Sequence, residues 1–391
     1  MAFCDDIDVS SILLAQINNE TDEAKMKELE NWIDQNVYVE VNDNGQDAIS
    51  VRWVVTPKLI DGQWKIKARL VARGFEEDPT QFRTDSPTCM RETLKIAFAV
   101  IASKKWLINS IDIKAAFLQG KEIERKVFLR PPKEANCHEK LWLLKKVVYG
   151  LSDASRVWYL RVLEELTKLG VTVSKYDKAL FIWKFEDSVQ GIILVHVDDF
   201  LWSGTSKFQT QVIKPLKDIF TISKESDCSF KYVGINIEQK ISFLSINQNK
   251  YINSIKAIEI NNAAQTDRKA DKLEKRNYRA LVGQLNWSCG VSRPDMAFSA
   301  CQLSTQQASP KVEDLMKANR VVNELQRENV QINYIPLNLS SVKLAVFADA
   351  SYKLPENYDY DYSGFCPSPQ FIIILAGGYS CPVKGAKYCK H

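Results

Sequence analysis

Two adjacent aspartates, Asp198 and Asp199, stand between the apolar run Gly191–Val197 and the apolar run Phe200-Leu201-Trp202. Carboxylates buried together resist desolvation and repel one another. On a straight strand the two side chains would point to opposite faces. At the tip of a hairpin they converge, and something positive must then neutralise them. A solvated acidic turn is the competing reading of these two residues taken by themselves. A third carboxylate, Asp112, closes the strand-like run Leu107–Ile113 in the same fashion. Asp112 and Asp198 on neighbouring strand ends would form an all-oxygen site of the kind that suits Mg²⁺. A pair of such ions about 3.5–4 Å apart can activate an attacking hydroxyl and stabilise a departing oxygen in phosphoryl transfer.

The surrounding pattern is that of an α+β sheet protein. Val51–Thr56, the turn pair Asp61-Gly62 and the run Lys65–Arg73 read as a β-hairpin. In its second strand Lys65, Lys67, Arg69 and Arg73 alternate with apolar residues, so period two places four cations on one face. Helices are expected at Glu20–Ile33 (with Met26, Leu29, Trp32 and Ile33 on one stripe), Met90–Ser103, Ser155–Leu169, Tyr278–Trp287 and Val312–Arg327. Strands are expected at Leu141–Val148, Ala179–Phe185, Tyr232–Glu238, Ile241–Ile246, from Val342, and at Phe371–Leu375.

Composition excludes several classes. The nine cysteines are scattered, odd in number and without a Cys-x-x-Cys pair, and the three histidines are far apart. This speaks against a zinc ribbon or a disulfide scaffold and for a reducing compartment. Asp5, Asp6 and Asp8 do not suit a secretory signal, and no apolar run is long enough to cross a bilayer. A net charge of +4 permits a nucleic-acid partner without requiring one.

Five blocks then carry a resemblance. Asp112-Ile113-Lys114-Ala115-Ala116-Phe117-Leu118-Gln119-Gly120 resembles the metal-binding segment of copia-type retrotransposon reverse transcriptases. His196-Val197-Asp198-Asp199 resembles their Tyr-Val-Asp-Asp box, and Lys67–Phe75 their basic fingers segment. Tyr149-Gly150-Leu151 with Arg156 and Trp158-Tyr159 is similar to a fourth block. Val282-Gly283, Leu285 and Arg293-Pro294-Asp295 are similar to the helical region beyond the palm. The blocks follow family order from about residue 51 to 385, and an ordered set is far more specific than any one short motif.

The resemblance implies a right-hand polymerase with a palm sheet, fingers and a helical thumb, followed by an incomplete ribonuclease H-like α/β domain. The boundaries it suggests are a charged lead-in at 1–50, fingers and palm at 51–245, a thumb or connection at 246–336, and the ribonuclease H-like end at 337–391. The implied activity is RNA-directed DNA synthesis with Mg²⁺, or Mn²⁺ in its place. The implied partners are an RNA or DNA template with its primer and deoxynucleoside triphosphates, with no membrane. The implied setting is the cytoplasm, virus-like particles or the nucleus. A decayed or domesticated copy that binds nucleic acid without polymerising is the alternative.

Residue by residue, Asp112, Asp198 and Asp199 would be catalytic metal ligands. Lys58, Lys67, Arg69, Gly150 and Arg156 would serve the incoming nucleotide, and Phe117 would be a steric gate against a ribose 2′-hydroxyl. Tyr232, Val233 and Gly234 would grip the primer. Asp349 would be a vestigial ribonuclease H ligand, and with the next expected carboxylate beyond His391 no ribonuclease H activity is expected of this chain. Two departures stand out. Ser152-Asp153-Ala154-Ser155 replaces the family's Lys-Gln-Ala-Pro, so Asp153 should point away from a triphosphate. His196 replaces Tyr and is expected to pack beside the hairpin.

Overall fold

The computed structural model describes residues 9–347, apart from 61, 62, 79, 81 and 138, together with 372–376. Its centre is a six-stranded sheet in the order Ile222–Asp227, Ile108–Ile113, Asp199–Gly204, Ser188–His196, Leu180–Phe185, Thr172–Val173. Every neighbouring pair is antiparallel. The apolar run that precedes the two aspartates is unbroken because its strand is covered on both faces. Ile193 and Val195 enter a core with Trp158, Val162 and Leu166 of helix Ala154–Lys168. Ile192 and Leu194 enter a second core with Leu94, Phe98 and Ile101 of helix Arg91–Lys104.

That second core also receives Tyr232, Ile235, Ile237 and Ile246 from a separate four-stranded antiparallel sheet: Ser229–Tyr232, Ile235–Gln239, Leu244–Asn247 and Ile332–Tyr334. The continuous strand expected over Tyr232–Glu238 is therefore two strands. Val233 (φ +44°) and Gly234 (φ +79°) form a two-residue turn between Tyr232 and Ile235. Two successive positive φ values match the twist that a tight hairpin needs, and alternation alone does not reveal them.

The helical region lies between the third and fourth strands of that sheet. Helices Lys272–Val291, Ala297–Thr305 and Val312–Arg327 pack around Tyr278, Leu285, Leu315 and Val322. The first of them begins with a capping box formed by Asp271 and Glu274.

A further four-stranded sheet, in the order Tyr38–Asn42, Lys140–Leu144, Phe128–Leu129, Ala48–Ile49, shares a core with the two-stranded ribbon Val51–Ile60 and Gln63–Ala72. Helix Val9–Asp34 lies against this ribbon. Its Leu29 and Trp32 are buried with Leu70 and Ala72, whereas Met26 and Ile33 are exposed. The expected stripe of four is thus narrower by two, because a thin ribbon covers less of a helix than a full sheet would. The ribbon pairs from Val51↔Ala72 to Ile60↔Gln63; the Asp61-Gly62 turn lies outside the described residues. Lys343–Phe347 pairs antiparallel with Ile372–Ala376, while Asp349 and Gly377-Gly378 lie outside the described residues. Among the described residues, no helix is long and apolar enough to cross a membrane.

Candidate active site

The site is built on the turn of one hairpin. Strands Ser188–His196 and Asp199–Gly204 pair through His196↔Asp199, which leaves Val197 and Asp198 as the two loop residues. Val197 has φ +57°, a conformation a β-branched residue adopts only when its surroundings impose it. Two bonds do so. Trp158 Nε1 donates to the Val197 carbonyl at 2.7 Å, and Ile113 N donates to the Asp198 carbonyl at 3.0 Å.

The strand Ile108–Ile113 lies on the other side of Asp199–Gly204, and Asp112 stands directly opposite Asp199 in its register. Side chains of directly opposed residues share a face, with Cβ atoms about 4.5–5.5 Å apart. The three expected aspartates are thereby brought to one edge of the sheet. Their proximity is visible in their acidity. The Asp198 carboxyl is raised by burial first, then by the charge of Asp112, against the pull of Arg69 and His196. The Asp199 carboxyl is pushed up to about 6 by burial, Asp198 and Asp112. Burial holds the imidazole of His196 below its ordinary value, against the pull of Asp198, and the residue is half-buried beside the turn.

Among the described residues, no three acidic, histidine or cysteine side chains already converge on one point at ligating distance. One reason is local: the Asp112 carboxylate accepts a hydrogen bond from the hydroxyl of Ser223 on the adjoining strand Ile222–Asp227. The donor set fits a hard divalent cation, since all three side chains offer oxygen. Ionised together they repel, and a cation would relieve that repulsion.

Directly after Asp112 the chain reverses. Lys114 N donates to the Thr221 carbonyl, Ala115 adopts a left-handed conformation (φ +47°), and a 3-10 turn covers Ala116–Gln119. This brings Phe117 back toward Tyr149, with ring centres 5.0 Å apart at 74°. Arg69 in turn lies 5.6 Å from the centre of the Tyr149 ring. The Tyr149 hydroxyl is pushed up to about 12, by burial first; Arg69 opposes that rise, and Glu28, Asp198 and Asp112 add to it. Phe117, Tyr149 and Arg69 thus form one wall beside the aspartates.

The ribbon register extends the cationic face. Thr56 is opposite Lys67, Lys58 opposite Lys65 and Arg52 opposite Val71, so Arg52 and Lys58 share the face of Lys65, Lys67 and Arg69. The Lys67 ammonium is lowered by desolvation and then by Arg69 and Lys58, while Glu28 and Asp112 pull it upward. Arg73 lies just past the strand, its N–H bonded to the Ser50 carbonyl.

Other expected residues have different surroundings. Gly150 (φ +93°) lies where residues 72–74 cross residues 149–150. Gly74 N donates to the Gly150 carbonyl at 3.1 Å, and a Cβ on Gly150 would overlap the Ala72 carbonyl oxygen. Two of the sequence blocks meet there, backbone to backbone. Arg156 pairs with Asp85 at 2.8 Å. Tyr232 is buried, with its hydroxyl 3.3 Å from the Leu194 carbonyl, so a ligand can meet only the Val233-Gly234 turn beside it.

Asp153 is engaged by Arg125, which donates two hydrogen bonds to it of 3.0 and 2.9 Å and also pairs with Glu77. The sequence reading gave no role to Ser223, Arg125 or Glu28. Ser223 and Arg125 have partners 111 and 28 positions away, and Glu28, besides accepting from Trp32 four residues on, meets Leu70, Lys67 and Arg69 of the ribbon; only the folded register shows these long-range contacts.

The model of the reverse transcriptase (RNA-dependent DNA polymerase) family matches residues 35–270, more than half of the chain. The Retrovirus-related Pol polyprotein from transposon RE1 of Arabidopsis thaliana is 27% identical over 297 residues, covering 71% of this chain and 20% of that protein. The corresponding polyprotein from transposon TNT 1-94 of Nicotiana tabacum is 25% identical over 324 residues, covering 75% of this chain and 24% of that protein. The chain therefore spans about a fifth to a quarter of the length of these relatives. Among solved structures, the foamy viral protease-reverse transcriptase in complex with double-stranded DNA aligns with a TM-score of 0.50 over 91% of this chain and 56% of that one, at 13% identity. The likeness is one of fold.

Proposed function

Because this chain belongs to the reverse transcriptase (RNA-dependent DNA polymerase) family, we propose that it adds deoxynucleotides to a primer 3′ end on a nucleic-acid template. The observation that carries this reading is the register that sets Asp112 opposite Asp199, with Asp198 at the adjoining turn. Asp112, Asp198 and Asp199 would hold Mg²⁺, which when bound supplies activation of the primer hydroxyl and neutralisation of charge on the departing pyrophosphate.

The chain's own side chains do the remaining tasks. Lys58, Lys67 and Arg69 present cations to the triphosphate from the ribbon face. Phe117, braced edge-on by Tyr149, closes the space a ribose 2′-hydroxyl would need, so selection is by exclusion. The Val233-Gly234 turn offers close backbone approach to a primer end. Gly150 acts through the backbone crossing that fixes Tyr149. Residues 51–245 would then be fingers and palm and 246–336 the thumb. A primer–template partner is supported by the double-stranded DNA bound to the structural neighbour.

Primer extension with Mg²⁺ and with Mn²⁺ tests the reading. Asp112→Asn or Asp198→Asn is expected to abolish extension on an RNA template while the protein stays folded by circular dichroism. Normal extension by either variant overturns the assignment. Duplex binding by a wild type that extends nothing would instead identify a chain that keeps the fold without polymerising.

A further inference from the structure

Two cations fasten the last turn of helix Lys272–Val291 to the first turns of helix Arg91–Lys104. Lys95 Nζ donates to the Gly290 carbonyl oxygen at 2.8 Å, and the Arg91 guanidinium lies 5.7 Å from the centre of the Trp287 ring. The final carbonyls of a helix lack an intrahelical N–H and carry the negative end of its dipole. Ser292 N and Arg293 N both turn back to the Ser288 carbonyl, which leaves the Gly290 carbonyl for the lysine. A Cβ on Gly290 would meet the end of the Arg91 side chain, so a larger residue there would have to displace Arg91 from its place beside Trp287. Lys95 forms no ion pair among the described residues; the helix end is its partner.

The same turn reaches the candidate primer contact. Trp287 and Val291 pack with Leu94, Phe98, Tyr232 and Ile235. A Cβ on Gly234 would stand 3.6 Å from the Trp287 ring. From Gly290 the helix runs back to Lys272 over ~27 Å at 1.5 Å per residue, so a tilt of about 10° at the fastening moves its far end by about 5 Å. That end and the face behind it expose Lys272, Arg276 and Arg279.

We propose that Lys95 and Arg91 form a two-point latch that sets the direction of helix Lys272–Val291 relative to the Val233-Gly234 turn, and that they are positioning residues for retention of a primer–template duplex. The proposal rests on the polymerase reading above. Its role differs from catalysis: Lys95 bonds the Gly290 carbonyl and Arg91 faces Trp287, and neither cation is among the residues assigned to the metal or the nucleotide.

The test uses the full chain with Lys95→Met and the conservative Lys95→Arg. Duplex affinity is read by fluorescence anisotropy, product length under a single-encounter trap, and the rate of one nucleotide addition from the preformed complex. For Lys95→Met, loss of a charged helix-end contact should weaken duplex binding by about five-fold and shorten products. The single-addition rate should stay within about two-fold of wild type, since no reacting group is removed. Lys95→Arg should restore affinity and length.

Wild-type affinity and product length in Lys95→Met overturn the latch. So does a loss of single-addition rate in step with product length and with melting temperature, which is the pattern of a merely structural lysine. If wild type binds duplex but extends nothing, the polymerase reading fails and anisotropy alone decides the latch. If wild type does not bind duplex, both fail.

Discussion

Trp158 donates its indole N–H to the carbonyl oxygen of Val197 at 2.7 Å, and this bond spans from a helix to the strained residue of the two-aspartate turn. A valine with φ +57° costs on the order of 1–3 kcal/mol, which the bond and the Asp198–Ile113 contact offset. Trp158→Phe removes the donor and leaves a small cavity, so a stability loss of about 2–3 kcal/mol is expected. Primer extension should fall by at least about ten-fold, because displacing a catalytic carboxylate slightly has a large effect. Val197→Gly in that background should recover part of the stability. Urea denaturation beside extension kinetics checks both. Unchanged kinetics in a destabilised Trp158→Phe protein would mean that the turn keeps its shape without the indole.

Asp199 predicts a pH effect in the absence of divalent ions. Its carboxyl is pushed from 3.8 up to about 6 by burial, then by Asp198 and Asp112. The folded value lies above the unfolded one, so the associated stability is complete below pH 3.8 and is lost as pH rises through about 6. Asp199→Asn removes that repulsion. At pH 7.5 without metal the variant should therefore be more stable than wild type, by about 1 kcal/mol once partial solvent screening is allowed for. The difference should vanish near pH 4. Added Mg²⁺ should stabilise wild type more at pH 7.5 than at pH 5.5, and the variant less at both. Scanning calorimetry across pH decides it; an Asn variant that melts lower at pH 7.5 contradicts the repulsion.

The placement of Asp112 beside the hairpin was legible because charge between apolar runs has few places to go, and both runs had to be strands. Helix Val312–Arg327 was legible to the residue, since one face carries Leu315, Val322 and Leu325 at helical spacing. The Val233-Gly234 turn was not legible in alternation, which tyrosine, valine, glycine and isoleucine in a row satisfy equally well; only the resemblance to a primer-gripping loop pointed to it. Ser223 and Glu28 were beyond reach for another reason. Ser223 acts across a strand register and Glu28 across a helix–ribbon contact, both set only by tertiary packing; the local i,i+4 bond of Glu28 to Trp32 does not reveal the ribbon contact. Asp153 was expected to avoid a triphosphate, but its partner Arg125 is one of several cations in 121–126, with Lys121 and Lys126, and spacing alone does not choose among them.

Arg125 is the cation that makes the unusual Asp153 tolerable. Side chains of Asp153 and Glu77 are only 8% and 5% exposed, and Arg125 contacts both while lying 4.2 Å from the centre of the Phe82 ring. Arg125→Ala would leave two buried carboxylates without their cation, for an expected loss of about 3–5 kcal/mol. Adding Asp153→Asn to Arg125→Ala should return about 1–2 kcal/mol of this, because one uncompensated charge is gone. A double-mutant cycle by urea denaturation measures the coupling. Additive losses would show that Arg125 stabilises through its packing on Phe82 instead.

Glu274 gives the opposite pH sign, in the helical unit. Arg268 donates to both of its carboxylate oxygens, at 2.9 and 2.8 Å, and the backbone N–H groups of Asp271 and Asn261 complete the set. The arginine first, then these amides, hold the carboxyl down to about 2 from 4.5. The folded value lies below the unfolded one, so its stabilisation is present above pH 4.5 and is lost as pH falls toward 2. Glu274→Gln keeps the shape but loses the charge. At pH 7 it should cost about 2–3 kcal/mol, and the gap to wild type should close progressively between pH 4.5 and 2. The loss should appear as early exposure of Tyr278, which is buried one helical turn away, in hydrogen exchange of helix Lys272–Val291. A gap that is constant over this pH range would remove the ion pair as its cause and leave the two backbone amides, which glutamine also satisfies, unable to explain it.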